Sequence, residues 1–181
     1  NCVFLFSKFK QEVLFSQLWL PLYLYIIISN CILPGAFGTE VLAEHNRLRA
    51  QHSAAPLVLD ESMCQYAQAW ANNLASKNIL QHRTEKRFGE NLYVVFGKAS
   101  CSGADAVQSW YKEIKDYTFG QPDPGVKFSK VGHFTQVVWK SSKRLGVGMG
   151  IASGGNGVYV VCNYDPPGNF KNRYAENVTN K

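Results

Sequence analysis

Four side chains in this sequence could do chemistry together: His82, Glu90, Glu113 and His133. Two imidazoles and two carboxylates form a donor set for a divalent ion. A neutral imidazole nitrogen binds Zn²⁺ directly, and a carboxylate either binds it or orients an imidazole from behind. Spacing alone says little, because the four are spread from residue 82 to residue 133. The alternative is that each histidine is structural, hydrogen-bonded at a helix end. His133 stands in Gly132-His133-Phe134-Thr135-Gln136-Val137-Val138-Trp139, where Val137, Val138 and Trp139 belong in a core and the imidazole sits at its mouth. Enzyme patterns are mostly missing. There is no G-x-S-x-G and no H-E-x-x-H. A hydrolytic triad would need a serine, and none has a signature context. Gly146 to Gly150 lies inside a strand pattern, so it is no dinucleotide fingerprint.

The elements that must position these groups follow from periodicity. Thr39 is a candidate N-cap, and Glu40 to Arg49 reads as a helix with Val41, His45 and Leu48 near one face. Asp60 caps a second helix, in which Met63, Tyr66, Ala67, Trp70 and Leu74 form one buried stripe. A charged loop, Arg83 to Arg87, leads to Gly89-Glu90-Asn91-Leu92 and a β-prone run from Leu92 to Phe96. A third helix starts at Ser102 or Asp105 and buries Ala104, Val107, Trp110, Tyr111 and Ile114. Glu113 then lies roughly 60° round from Trp110, at the border of that face, where it can look into a cleft. Leu145, Val147, Met149 and Ile151 alternate with Gly146, Gly148 and Gly150, a strand whose bare face admits another layer closely. Gly154-Gly155-Asn156-Gly157 turns into a second strand, Val158 to Tyr164. Helices, a strand, a helix and a hairpin predict an α+β domain with an antiparallel sheet.

Composition sets the bounds. At 181 residues, 46% apolar and 13% aromatic, the chain makes one domain with a substantial core and an N-terminal appendage. Residues 1–36 carry an apolar heart, Leu18 to Leu33, behind Lys8 and Lys10. This resembles a secretory signal, and it is long enough for a membrane anchor. A third reading comes from an echo: Phe9 to Leu14 and Phe37 to Leu42 both read F-x-x-E-V-L. Two alternative starts of one first helix would then be joined around a translated insert.

The five cysteines form no C-x-x-C pair, which argues against a zinc ribbon or a thioredoxin site. Three fall in the body, so at most one bridge is expected there. The net charge of +6 permits binding to an acidic surface such as an anionic membrane. Lys140, Lys143 and Arg144 are the candidate membrane-binding cluster, with a solvated charged face as the plainer reading. Aromatic–basic interleaving of the kind that binds nucleic acid is absent, so no nucleic-acid partner is expected. Asn177-Val178-Thr179 is a glycosylation sequon, meaningful if the chain is secreted.

Four ordered motifs resemble the CAP superfamily, the cysteine-rich secretory, antigen 5 and pathogenesis-related proteins. They are Gly89 to Leu92, Trp110 to Ile114, Gly132 to Trp139 and Val161 to Asn169, with His45-Asn46 in the first helix. The likeness runs over 37–181. Leu74-Ala75-Ser76, Trp110 to Tyr117 and Gly132 to Gly148 resemble the Golgi-associated plant pathogenesis-related branch. The resemblance implies a three-layer α-β-α sandwich with a central antiparallel sheet. It implies that His82, Glu90, Glu113 and His133 are the family's cleft tetrad, which binds Zn²⁺ in some members. Phe88 stands where secreted members often carry a cysteine, and the myristoylated glycine of the Golgi-associated branch is absent. Neither a bridge to Cys162 nor that anchor is carried over.

The expected function is non-catalytic binding of an anionic lipid, a sterol or an anionic membrane surface, with Zn²⁺ as the cofactor of the cleft. One alternative is an interaction module acting as a homodimer; another is a hydrolase using a cleft histidine. The signal reading places the protein outside the cell. The insert reading leaves it Golgi-associated, at the cytosolic membrane face.

Overall fold

The computed structural model describes residues 35–180. The signal, anchor and insert readings of the apolar stretch lie outside the described residues. Helix α1 (Ala36–Ala50) leads through β1 (Val58–Leu59) to α2 (Glu61–Lys77). Then come β2 (Gly89–Phe96) and α3 (Gly103–Tyr111), which runs on as a 3₁₀ turn, Lys112–Asp116. A second 3₁₀ turn, Gly125–Lys127, opens α4 (Phe128–Val138). The chain closes with β3 (Arg144–Ile151), β4 (Gly157–Asp165) and the short α5 (Tyr174–Asn177). The strands lie in the order β1-β3-β4-β2. The three long strands are antiparallel, as expected; the two-residue β1 adds a parallel pair with β3, so the sheet is mixed. Among the described residues, no helix is long and apolar enough to cross a membrane.

Three layers result, because β4 is buried on both faces. Val158, Val160, Cys162 and Tyr164 point into one core with Val41 and Leu48 of α1, Val107 and Trp110 of α3, and Phe134 and Val137 of α4. Tyr159 and Val161 point the other way, onto Ala67, Ala71 and Leu74 of α2. The bare glycine face of β3 does what its composition requires. A Cβ at Gly146, Gly148 or Gly150 would overlap backbone atoms of Met63, of Ala67 and Gln68, and of Ala71. Helix α2 thus lies backbone against backbone on the strand, and the Gln68 amide bonds Met149 N and O across the seam.

Several local expectations are refined. Asp60 caps α2 through Met63 N at 3.0 Å, and Ser102 with Asp105 forms a capping box on α3. Helix α1 starts a turn before Thr39, with Gly35 at its N-cap. Met63, Ala67 and Leu74 are buried as a stripe, whereas Tyr66 and Trp70 are only half-buried. Those two rings carry the Arg83 guanidinium, which sits 3.7 Å from the Tyr66 ring centre. In α3, Ala106 rather than Ala104 takes the buried position, because it is Ala106 that shares a face with Val107 and Trp110. The body's Cys64, Cys101 and Cys162 are unbridged. The sequon residue Asn177 is 2% exposed, and its amide bonds Ser141 and the Arg173 carbonyl. In the folded chain it presents no glycan acceptor.

Two buried polar groups fasten the front layer. Arg49 is fully buried and, among the described residues, pairs with no carboxylate. Its guanidinium donates to the carbonyls of Ala55, Val137, Trp139 and Ser142 at 2.8–3.0 Å. Burial lowers its pKa to about 10, so it stays charged at neutral pH. His45 donates from Nδ1 to Val41 O and accepts at Nε2 from the Tyr164 hydroxyl, each at 2.8 Å.

The α2–β3 seam gives a direct test. Gly148→Ala places a methyl carbon inside the α2 backbone, and overpacking of this kind costs about 2 to 3 kcal/mol. Urea unfolding should show a lower midpoint with an unchanged m-value. A midpoint equal to wild type would mean that the seam yields freely.

Candidate functional site

The four predicted residues come together as two carboxylate–imidazole pairs around one cleft. Glu90 lies near the start of β2, and its Oε1 accepts from His82 Nδ1 at 2.7 Å and from the Arg83 N–H at 3.0 Å. Glu113 lies in the 3₁₀ turn that ends α3. Its Oε1 accepts from His133 Nδ1 at 2.8 Å, and its Oε2 accepts from the backbone N–H of His133 and of Phe134 at 2.9 and 3.1 Å. The tighter 3₁₀ winding, about 120° per residue, turns Glu113 further than α-helical geometry would. A carboxylate oxygen accepts, so each Nδ1 carries the hydrogen of its bond, and the neutral form of each ring has its lone pair on Nε2. The pairs are exposed unequally: 51% for the His82 side chain, 34% for His133, 9% for Glu90 and 21% for Glu113.

Both imidazoles line a cleft of about 230 Å³, with Glu90, Asn91, Phe128, Ser129, Gly132 and Asn169. A neighbouring cavity of about 250 Å³ shares His82, Glu90, Phe128 and Asn169 and extends to Tyr66, Arg83, Phe88 and Asn163. The carboxylates are turned onto the imidazoles. Among the described residues, no group of three or more His, Cys, Asp or Glu side chains converges as a metal cage. The donor set therefore offers two imidazole Nε2 atoms held from behind, the arrangement that orients metal-bound histidines. Water or a ligand would complete any coordination. Ser129 shares the cleft, but its hydroxyl bonds neither imidazole among the described residues.

Residues that sequence reasoning did not single out hold these pairs in place. Asn91 donates from Nδ2 to His133 O at 3.1 Å and to the Tyr164 hydroxyl at 3.2 Å, linking the cleft to His45. Asn169 accepts from Thr135 Oγ1 at 2.6 Å and donates to Gly132 O at 2.9 Å. Trp110 lies near-parallel to the His133 ring, at 16°, and donates its indole N–H to Leu92 O. Asn91 and Asn169 stand inside conspicuous motifs, but their partners are far away in the chain, so spacing could not find them.

The basic cluster is partly ion-paired. The Arg144 guanidinium is held by Asp60 at 2.8 Å and by Asp165 at 2.6 Å. These pairs clamp the strand end, and the Arg144 side chain keeps 49% of its exposure. Lys143 is exposed and Lys140 half-buried.

His45 generates a pH prediction. Desolvation by burial lowers its pKa from 6.5 to about 4, with the Val41 bond opposing, Arg49 lowering and Glu44 raising. The unfolded chain takes up a proton that the folded one refuses between those values. Stability from this group is therefore whole above pH 6.5 and lost as pH falls towards 4, by about 3 kcal/mol in total. Urea unfolding should show that slope in wild type, and His45→Gln should flatten it.

Comparison with known proteins fits this geometry. The family described as "CAP: Cysteine-rich secretory protein family" matches residues 42–164. The human Golgi-associated plant pathogenesis-related protein 1 is 40% identical over 147 residues, 78% of this chain and 92% of that protein. Pathogenesis-related protein 1A of Nicotiana tabacum is 38% identical over 168 residues, 92% of this chain and 95% of that one. The secreted protein RBT4 of Candida albicans is 39% identical, but this chain spans only 40% of its length. Among solved structures, BmVAL-1 superposes with a TM-score of 0.63 at 21% identity, covering 78% of this chain and 81% of that one. NaASP2 with Zn²⁺ superposes with a TM-score of 0.61 at 24% identity, covering 79% and 84%. These two share the α+β sandwich. With the family match across both imidazole pairs and relatives aligned over most of both chains, this chain belongs to the CAP superfamily, the cysteine-rich secretory protein family.

Proposed function

We propose that this protein is a non-catalytic CAP domain that acts at an anionic lipid surface and takes up Zn²⁺ between His82 and His133. The observation that carries the zinc reading is the pair of glutamate-held imidazoles around one cleft. Carboxylate partners fix the Nδ1–H tautomer and raise the basicity of Nε2, the atom left for metal. Zn²⁺ bound there would supply a Lewis-acidic point for an anionic or carbonyl ligand. The presence of Zn²⁺ in the crystal of NaASP2, a fold neighbour, is compatible with this. Support for the lipid surface comes from the +6 charge of the chain. The hydrolase reading would require ester or peptide turnover that His133→Ala abolishes. The homodimer reading would require partner binding that survives loss of both histidines. The relatives are named for Golgi-associated and for secreted addresses.

Zinc titration by calorimetry tests the site. His82→Ala with His133→Ala should abolish binding. Glu113→Gln should weaken it about 10- to 100-fold while leaving both imidazoles in place. Affinity unchanged in the double variant would remove the metal site. Co-sedimentation with phosphatidylserine vesicles, with Zn²⁺ and with chelator, tests the lipid surface separately. Binding that needs Zn²⁺ would tie the cleft to the membrane, and no binding in either condition would end that role.

A further inference from the structure

Building on the lipid-surface reading, we infer that the rim of the histidine cleft, formed by 125–130 and 168–171, is the face that docks on an anionic bilayer. The first segment carries Val126, 100% exposed, and Phe128, 47% exposed; the second carries Phe170, 49% exposed. Lys127, Lys130 and Lys171 belong to the same two segments, all exposed and none in an ion pair among the described residues.

The two segments belong to one rim. Asn169 bonds Thr135 and Gly132 of α4, and the Tyr174 hydroxyl donates to its carbonyl. Gly132 in turn packs under the Phe128 ring. Phe128 and Asn169 both line the cleft between His82 and His133. The nearby acid Asp123 is turned back on Gly125 N at 2.7 Å.

Nothing in the fold calls for this composition. A valine at the tip of a 3₁₀ turn with no neighbour contributes nothing to the core, and neither do the outward faces of the two phenylalanines. Separate apolar tips divided by lysines suit the bilayer interface, where rings and branched chains enter the headgroup layer while ammonium groups meet anionic lipid. A protein partner would call for a continuous apolar centre instead. Docked this way, the cleft mouth faces the lipid headgroups. The face differs from the Lys140–Lys143 cluster, where Arg144 is already spent on Asp60 and Asp165.

The test uses the full chain and vesicles of phosphatidylcholine with and without phosphatidylserine. Val126→Asp with Phe170→Asp, and separately Lys127→Glu with Lys171→Glu, should each lower partitioning onto phosphatidylserine vesicles at least about tenfold. Lys140→Glu with Lys143→Glu should leave it near wild type. Far-ultraviolet dichroism and zinc titration of the rim variants report whether fold and cleft survive. A Val126→Trp variant should gain fluorescence that brominated phosphatidylcholine quenches in the mixed vesicles. If wild type binds and the folded rim variants bind equally, or the new tryptophan escapes quenching, this face is wrong while the lipid-surface reading stands. If wild type does not bind at all, both fall together.

Discussion

The buried cation of Arg49 ties the front of this molecule together. Its guanidinium reaches the carbonyls of Ala55, Val137, Trp139 and Ser142 from the middle of a closed core. Among the described residues, no carboxylate pairs with it. The charge is balanced instead by carbonyl dipoles, including those released at the C-terminal end of α4, where a positive group is favoured. Taking a charge out of water is costly, so the position is sustained only because the donors are so fully used. Helix α1, the loop after it, the end of α4 and the entry to β3 are fixed to one point. His133 rides on α4, and its orientation is inherited from that fixture.

The cleft is built outward from there by polar groups that each serve two elements. Tyr164 on β4 gives its hydrogen to His45 and accepts one from Asn91, and Asn91 also holds the carbonyl of His133. Glu113 caps backbone and ring of the same residue. The outer pair, His82 and Glu90, has fewer ties and the more exposed imidazole, so the two halves of the site are unequally held.

Much of this is legible in the order of residues alone. The alternation of β3 with its glycines announces a strand with a close neighbour, and α2 lies there. Asp60 and Ser102 are readable caps, and the His82, Glu90, Glu113 and His133 set meets around one cleft. What escapes has a common cause. Arg49 looks like any surface arginine at the end of an amphipathic helix, and its carbonyl partners leave no mark in sequence. The division of labour in the tetrad, carboxylates behind and imidazoles in front, depends on a 3₁₀ turn that helical periodicity does not announce. The ion pairs of Arg144 escape too, because Asp60 and Asp165 come from distant segments.

The glycine seam between α2 and β3 has a mechanical meaning. With no β3 side chains on the face that meets α2, the strand has little there to shear, compress or repack. The sheet and α2 behave as a rigid plate, and β4 passes that rigidity to the front through residues buried on both sides. Any widening of the cleft must then come from the segments at its edges, the stretch from Arg83 to Phe88 and the two rim segments, moving over a floor that stays still. A ligand entering here would meet a site whose back wall sets the shape and whose edges set the rate.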